Sequence, residues 1–287
     1  MKNIWIIGCG DIGRRVFKRL ETLYQNHEHR TTALVRSQES QQLCQQLGMN
    51  TLLYDLDQPT VLDKTLFKDA EIYYFAPPPK AGDKDTRLSH FLKTVGDTPA
   101  KIVLISTTGV YGNCQGDWID ESRPVNPQTG RAIRRVSAET SLYKWASINK
   151  KPFIILRVPG IYSLDRLPLA RLKKKLPVVQ ASEAAFTNRI HADDLANICI
   201  KAMESSFTEE IFNTTDGNPG TMVEYFNQIA DFAGLERPQQ ISLKEAQQSL
   251  SAGMLSYAGE SRRIGNAKLL NVLNINLQYP TLASTLK

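Results

Sequence analysis

Three glycines near the N-terminus have the spacing of a loop that can hold an anion. Gly8, Gly10 and Gly13 form Gly-x-Gly-x-x-Gly, and the positions between them hold Cys9, Asp11 and Ile12. Glycine lets the chain turn sharply and leaves no Cβ between the backbone and a ligand. The apolar run at 4–7 predicts a strand before the loop, and the pattern after it predicts a helix whose free N–H groups face a pyrophosphate. This order favours dinucleotide binding by residues 8, 10, 11, 12 and 13 over an incidental tight turn.

The end of the second predicted strand indicates which dinucleotide would bind. That strand ends at Arg36, and no Asp or Glu occurs between Arg30 and Gln38. An acidic residue there would bind the ribose hydroxyls of NAD, whereas an arginine favours the 2′-phosphate of NADP. Arg14, directly after the glycine loop, could reach the same phosphate. We therefore predict NADP, with NAD as the second choice. Asp55, after the third strand, could bind the adenine amino group or cap the segment that follows it.

Arginines open a predicted helix at 131–148. Arg131, Arg134 and Arg135 lie close together, and the guanidinium group offers a forked set of donors that binds anions. The N-terminus of a helix is already positive, so a bound phosphate or carboxylate would relieve the local repulsion. Alternatively, these side chains point into solvent. We predict that Arg131 and Arg135 bind negative charge on the substrate or cofactor.

The elements that must position these residues alternate between strands and helices, which predicts parallel βα units and an α/β fold of the doubly wound Rossmann type. The strands are predicted at 4–7, 31–35, 51–54, 72–76, 102–106 and 153–157. The fourth strand ends at Ala76, because the prolines from Pro77 onward cannot continue a central strand. We assign Ala76 and Pro77 to the dinucleotide site. Helices are predicted at 40–47, 86–95 and 131–148.

The alternation weakens beyond residue 157. Helices are predicted there at 193–203, 222–233 and 243–250, separated by segments with frequent proline, glycine and charge. We predict a Rossmann core of 1–157 with 188–217 and 262–287. A smaller, substrate-side region would comprise 158–187 and 218–261.

Composition places the chain among ordinary globular proteins. Of its 287 residues, 41% are hydrophobic and 22% are charged, and no apolar stretch approaches the roughly 18 residues that a membrane helix needs. The N-terminal apolar run is too short for a signal peptide, so we expect a cytoplasmic protein whose four scattered cysteines are reduced. The net charge of +6 is spread out, with no aromatic interleaving at its densest run, so we expect no nucleic-acid or membrane partner. No metal site is expected.

Six further segments occur in order along the chain. They are STTGVYG at 106–112, ESRPVNP at 121–127, LRVPGIY at 156–162, NRIHADDLA at 188–196, FNTTDG at 212–217 and RRIGNAKL at 262–269. Together they resemble the extended short-chain dehydrogenase/reductases, the NAD-dependent epimerase/dehydratase group. The resemblance implies a Rossmann core with a small substrate-binding region, and chemistry at carbons bearing hydroxyls or carbonyls. It also implies that Ser106 and Pro159 lie beside the cofactor and that a homodimer could form through helices 86–95 and 131–148.

The chain departs from this family at the catalytic pair. In the family a Ser or Thr, a Tyr and a Lys form the machinery, and Thr107 occupies the Ser/Thr position. The Tyr-x-x-x-Lys positions hold Arg131 and Arg135, and none of the ten tyrosines has a lysine four residues later. Arginine stays charged and does not exchange a proton near neutral pH. The pattern resembles an atypical subgroup of the family that lacks the tyrosine.

Two functions follow from this departure. One is an oxidoreductase or epimerase-like enzyme acting on a small substrate, for which an anion is one candidate. In it Thr107 orients the substrate oxygen, and Tyr111 or a bound water delivers the proton. The other is a redox sensor or regulatory module that binds NADP(H) without turning it over. Other titratable residues have simpler explanations: His191 as a buried histidine, and Asp193 and Asp194 as helix caps.

Overall fold

A computed structural model describes residues 1–24, 29–58, 62–250, 253, 255 and 259–287. Its centre is a seven-stranded parallel sheet. The strands are β1 (Lys2–Ile7), β2 (His29–Val35), β3 (Asn50–Leu53), β4 (Glu71–Tyr74), β5 (Lys101–Thr107), β7 (Phe153–Val158) and β12 (Glu209–Asn213). Their spatial order is β3-β2-β1-β4-β5-β7-β12. The order reverses between β1 and β4, and such a point opens a crevice at the carboxyl ends of the strands. The fold class is the Rossmann type that the sequence predicts.

Helices alternate with these strands in the chain. They are α1 (Asp11–Leu23), α2 (Gln38–Gln45), α3 (Thr86–Val95), α4 (Gly130–Asn149) and α6 (Ala192–Glu204). Short 3₁₀ turns occur at Lys64–Phe67 and Thr108–Tyr111. Lys101 of β5 is buried, and its Nζ donates to the carbonyl oxygens of Ala202 and Ser205 at 2.9 and 2.7 Å, which satisfies acceptors at the C-terminus of α6.

The remaining elements are short. The strands are β6 (Trp118–Ile119), β8 (Gly160–Tyr162), β9 (Val178–Val179), β10 (Phe186–Thr187), β11 (Arg189–His191), β13 (Gly220–Thr221), β14 (Gln240–Ile241) and β15 (Arg263–Ile264). They pair as β6 with β15, β8 with β11, β9 with β14, and β10 with β13. The helices are α5 (Leu169–Lys173), α7 (Met222–Phe232), α8 (Leu243–Ser249), α9 (Ala267–Val272) and α10 (Leu282–Thr285), with 3₁₀ turns at Leu164–Arg166 and Ala181–Glu183.

The chain divides into two compact units. The first comprises Met1–Val110, Gly130–Arg157 and Leu195–Phe212, and the second comprises Tyr111–Thr129, Val158–Asp194 and Asn213–Lys287. The second unit therefore takes in 111–129, 188–194, 213–217 and 262–287, which the sequence analysis placed in the Rossmann core. The assignment of one region to the cofactor and another to the substrate stays a prediction.

Each unit has its own apolar core. In the first, aromatic rings link β1 and β4 to α3: Trp5 packs on Phe67, Phe67 meets Phe91 edge-on, and Phe91 contacts Tyr74, with ring centroids 4.6 to 5.5 Å apart. In the second, a smaller core gathers around Phe226 of α7. Its other members are Tyr162, Leu172, Val178, Val223, Ile229, Ala230 and Leu282.

The predicted elements of the core are all present, each within two residues of its predicted ends. The seventh strand, β12, and the short strand pairs were not predicted. Among the described residues no helix has the length and apolarity needed to cross a membrane.

Candidate functional site

The glycine loop follows β1 and is held against the end of β4. Gly8 has φ +81°, and its N–H donates to the Leu34 carbonyl oxygen at 2.9 Å. A Cβ on Gly8 would lie 2.6 Å from the backbone N and Cα of Ala76. Only glycine allows both the left-handed backbone and this approach of two chain segments. The sequence predicted the sharp turn but not the partner of the close contact.

Gly13 and Gly10 have different structural roles. A Cβ on Gly13 would lie 2.8 Å from Cys9 Sγ and 2.9 Å from Ile6 Cγ2, so Gly13 lets α1 pack closely on β1. A Cβ on Gly10 would have no atom of the described residues within 4 Å, and Gly10 lines a cavity. These are the roles that a dinucleotide loop requires: turn, room for the ligand and close helix packing.

The N-terminus of α1 faces this loop. Gly10 is the N-cap residue and has no side chain with which to cap the helix. Arg14 N–H donates to the Gly10 carbonyl oxygen at 3.1 Å, which begins the helical hydrogen bonding. Asp11 lies in the first turn, where its Oδ1 accepts from Arg15 Nε at 3.1 Å. The first amides of α1 and the helix dipole can therefore serve a phosphate group.

A cavity of about 260 Å³ lies at the point where the strand order reverses. Four segments of the first unit line it: the glycine loop, 34–37 at the end of β2, 54–56 after β3, and Ala76 with Pro77 after β4. Ser40 and Arg87 complete the lining. The predicted residues Gly8, Gly10, Arg36, Asp55, Ala76 and Pro77 are thus brought together around one cavity. Its position matches that of a dinucleotide in doubly wound folds.

The part of this cavity beside the ends of β2 and β3 carries charge. The Arg36 side chain is 63% exposed, and its Nη1 lies 4.0 Å from Oδ2 of Asp57. Asp55 Oδ1 accepts from Asp57 N–H at 3.0 Å, which is the capping role that the sequence left open. Asp55 also lines the cavity, and its contact with an adenine amino group stays a prediction. The side chain of Ser37 caps α2 by accepting from Ser40 N–H.

The predicted catalytic threonine, Thr107, is the last residue of β5. It therefore lies at the same carboxyl edge of the parallel sheet as the glycine loop. Thr107 Oγ1 accepts from Gly109 N–H at 3.2 Å. The hydroxyl of the preceding residue, Ser106, donates to Glu139 Oε1 at 2.5 Å. Arg157 Nη2 donates to the other carboxylate oxygen, Glu139 Oε2, at 2.8 Å. All three side chains are buried. This network was missed by sequence reasoning, and it fixes the strand end that carries Thr107.

The two predicted substrate-binding arginines have different surroundings. Arg131 is exposed, whereas Arg135 is only 6% exposed and its Nη1 donates to the Ala76 carbonyl oxygen at 3.4 Å. Burial lowers the pKa of Arg135, and the nearby carboxylate of Asp85 acts in the opposite direction. Arg134 Nη1 donates to the Gly82 carbonyl oxygen at 2.8 Å. Arg135 therefore does not point into solvent; it reaches the β4 end that also borders the cavity.

Tyr111 and Pro159 belong to the second unit. The Tyr111 ring is buried, and its hydroxyl donates to Asn213 Oδ1 at 2.8 Å. Asn213 N–H in turn donates to Glu121 Oε1 at 2.7 Å. Pro159 lies between β7 and β8. The proton-donor role of Tyr111 stays a prediction, and its hydroxyl would have to leave Asn213 to perform it.

Other titratable groups of the second unit have structural roles. His191 is buried, stacks on Tyr279 at 3.8 Å and accepts from Asp193 N–H through Nδ1. Asp194 accepts from the N–H groups of Gln278 and Tyr279 at 2.8 and 2.9 Å, which ties a distant segment to α6. Burial raises the pKa of Asp216 to about 7.

All four cysteines are free and buried. Cys9 and Cys44 are neighbours, with Cys44 Sγ 3.9 Å from the Cys9 carbonyl oxygen. Their mutual hydrogen bond and burial raise the pKa of the Cys9 thiol. Within the described part of the chain no group of three or more His, Cys, Asp or Glu side chains is placed to hold a metal ion.

Solved structures share this fold over the whole chain, whereas no protein-family model and no curated protein matches the sequence. A conserved protein of unknown function from Silicibacter pomeroyi is 22% identical, with a TM-score of 0.84, 100% of this chain and 97% of that chain covered. A double mutant of dTDP-glucose 4,6-dehydratase from Streptomyces venezuelae, with NAD and DAU bound, is 15% identical, with a TM-score of 0.80 and 99% and 94% covered. UDP-glucuronic acid 4-epimerase from Bacillus cereus, in complex with NAD, is 15% identical, with a TM-score of 0.78 and 100% and 96% covered.

These likenesses establish the class of fold. The chain shares the Rossmann-type fold of this dehydratase and this epimerase, which is the fold that its sequence predicts.

Proposed function

We propose that the protein binds a nicotinamide adenine dinucleotide in the cavity between β1 and β4 and acts as an oxidoreductase or epimerase-like enzyme. The observation that carries the binding proposal is the glycine loop at the strand reversal, where Gly8 closely approaches Ala76 and Gly10, the N-cap residue of α1, lines the cavity. The residues that would hold the dinucleotide are Gly8, Gly10, Asp11, Ile12, Gly13, Arg14, Arg36, Asp55, Ala76, Pro77, Ser106 and Pro159. When bound, the nicotinamide ring would supply hydride transfer.

NADP is our first choice of cofactor and NAD the second. The support for NADP is local: Arg36 is exposed at the rim of the cavity, and β2 ends without an acidic residue. The support for NAD comes from the dehydratase and epimerase above, whose structures contain NAD. Direct titration with both cofactors decides between them.

The proposed substrate is small and carries negative charge. Arg131 is an exposed cation, and Arg135 is a buried cation that contacts the end of β4. Thr107 would orient the substrate oxygen, and Tyr111 or a bound water would deliver the proton. Without a dedicated acid of suitable pKa, the acid–base contribution of about 10²- to 10⁴-fold is reduced, so slow turnover is expected. The named epimerases and dehydratases act on nucleotide sugars, which makes these the first compounds to test.

A second function, binding of NADP(H) without turnover, is favoured by a specific observation. The only tyrosine hydroxyl assigned a proton-transfer role is buried and already donates to Asn213. A sensor of this kind would use the same cavity.

Calorimetry and a turnover screen test both functions. Purified protein is titrated with NADP⁺, NADPH, NAD⁺ and NADH, and hydride transfer is then followed at 340 nm with aldehydes, ketones and nucleotide sugars. Turnover that falls in Thr107→Ala while the cofactor dissociation constant stays unchanged supports the enzyme. Tight cofactor binding with no turnover supports the sensor, and no binding of any of the four refutes both.

A homodimer through α3 and α4 remains a proposal by analogy. Light scattering on a size-exclusion column tests it, with a mass near twice 32.2 kDa expected.

A further inference from the structure

Arg87 joins two segments that border the cavity. Its Nε and Nη2 donate to the two carboxylate oxygens of Asp57 at 2.7 and 2.5 Å, a bidentate pair. Its Nη1 donates to the carbonyl oxygen of Pro77 at 2.9 Å. Asp57 follows β3, and Pro77 follows β4. A bidentate arginine–carboxylate pair is strong and directional, so Arg87 fixes both segments while itself lining the cavity.

The same carboxylate also faces Arg36. Asp57 Oδ2 lies 4.0 Å from Arg36 Nη1, compared with 2.5 Å from Arg87 Nη2. The Arg36 side chain is 63% exposed and that of Arg87 is 12% exposed. Arg87, more than Arg36, lowers the pKa of Asp57. Asp57 is thus neutralised mainly from the buried side, which leaves the charge of Arg36 available to an incoming anion.

We propose that the Arg87–Asp57 pair sets the preference between dinucleotides with and without a 2′-phosphate. Arg87 neutralises a carboxylate that would otherwise pair with Arg36 and repel the phosphate. Arg87 and Asp57 would affect the cofactor preference by setting how much of the charge of Arg36 is available to the phosphate. Neither residue needs to contact the phosphate itself. This inference rests on the proposed dinucleotide site, but it concerns only the ratio of the two affinities and holds whichever cofactor the wild-type protein prefers.

The test is a double-mutant cycle on the ratio Kd(NADP⁺)/Kd(NAD⁺), measured by calorimetry at low salt. Arg87→Gln should raise the ratio roughly fivefold, the upper end of what one solvent-exposed charge–charge interaction contributes. Asp57→Asn should lower it, because the repulsive charge is gone and Arg87 is released. The double variant removes both charges and should return the ratio to within about threefold of the wild-type value.

Two controls separate charge from structure. Arg87→Lys keeps the positive charge but loses the fork, so the ratio should stay near that of the wild type. Arg237→Gln removes an equivalent bidentate pair, Arg237 with Asp231 at 2.8 Å for both contacts, in the second unit, and should leave the ratio unchanged.

The outcomes are distinct. If Arg87→Gln weakens both cofactors equally, Arg87 has only a structural role and the inference is wrong. If Arg87→Gln does not fold, Asp57→Asn decides: a lowered ratio supports the inference, and an unchanged ratio overturns it. If the wild-type protein binds neither cofactor, the proposed function itself fails and the inference falls with it.

Discussion

The contact between Gly8 and Ala76 makes a quantitative prediction about stability. In Gly8→Ala the new Cβ would lie 2.6 Å from two backbone atoms of Ala76 and 2.9 Å from its Cβ, so the loop and the end of β4 must separate. The left-handed backbone at φ +81° costs an alanine about 1–2 kcal/mol. Forcing an extra carbon into a packed contact costs about 1–3 kcal/mol more. We expect a loss of about 2–5 kcal/mol in the free energy of unfolding.

Gly48→Ala is the matched control. Gly48 has φ +85°, and a Cβ there would meet no atom of the described residues within 4 Å. This variant therefore carries the backbone cost alone, about 1–2 kcal/mol. The difference between the two variants measures the contact with Ala76. Gly10→Ala adds a third comparison, because the φ of Gly10 is negative, at −88°, and a Cβ there would enter the cavity.

Urea unfolding followed by tryptophan fluorescence gives the free energies, and calorimetry gives dinucleotide affinity. Gly10→Ala has no packing cost and should therefore lose less free energy of unfolding than Gly8→Ala, yet it should bind the dinucleotide more weakly. Equal stability of Gly8→Ala and Gly48→Ala would refute the argument about the close approach. Undiminished binding by Gly10→Ala would show that the ligand lies elsewhere.

Further predictions concern buried charges. Glu139→Gln leaves the buried guanidinium of Arg157 without its carboxylate and should lower the free energy of unfolding by about 3–5 kcal/mol. Urea titrations measure this change. An unchanged value would mean that water replaces the carboxylate as the partner of Arg157. Asp216 has a pKa of about 7, raised from its ordinary value of 3.8. Between these two pH values the folded state binds more protons than the unfolded state, so the free energy of unfolding falls as the pH rises from 4 to 7. Asp216→Asn should remove this decline. Parallel curves of unfolding free energy against pH for the two proteins would contradict the argument. Lys101 has a pKa of about 8, lowered from 10.5 by burial. Between pH 8 and 10.5 this lysine binds more protons in the unfolded protein than in the folded one, so the free energy of unfolding should rise with pH. Thermal melts of Lys101→Met should lack this rise.

The parts of the site that follow from local pattern could be predicted from sequence. Strand ends and the glycine loop depend on hydrophobic runs and on turns of a few residues, so their order along the chain places them at one edge of the sheet. The pairs formed by Arg87 with Asp57 and by Arg157 with Glu139 could not be predicted. Their members lie 30 and 18 residues apart, and many other charges were equally available as partners.

The burial of Arg135 could have been predicted from the apolar pattern of its helix. The buried side of α4 repeats at helical spacing through Ala132, Ala138, Leu142 and Trp145, and Arg135 falls on that stripe. Arg131 lies one turn earlier and is exposed. The apolar stripe separates the two arginines, whereas the Tyr-x-x-x-Lys spacing of the resembling family treats them alike.

This separation bears on which function the site performs. The charge of Arg135 is buried beside Asp85, whose Oδ2 has no hydrogen-bond partner among the described residues, and beside the similarly unpartnered hydroxyl of Tyr74. An arginine stays protonated across the accessible pH range, so it can stabilise a nearby anion but cannot give a turnover rate its pH dependence. A bell-shaped profile of kcat/KM must then come from another acid and base. A profile that is flat from pH 6 to 9 and unaffected by Tyr111→Phe would assign Arg135 a purely electrostatic role, and would leave proton delivery to water.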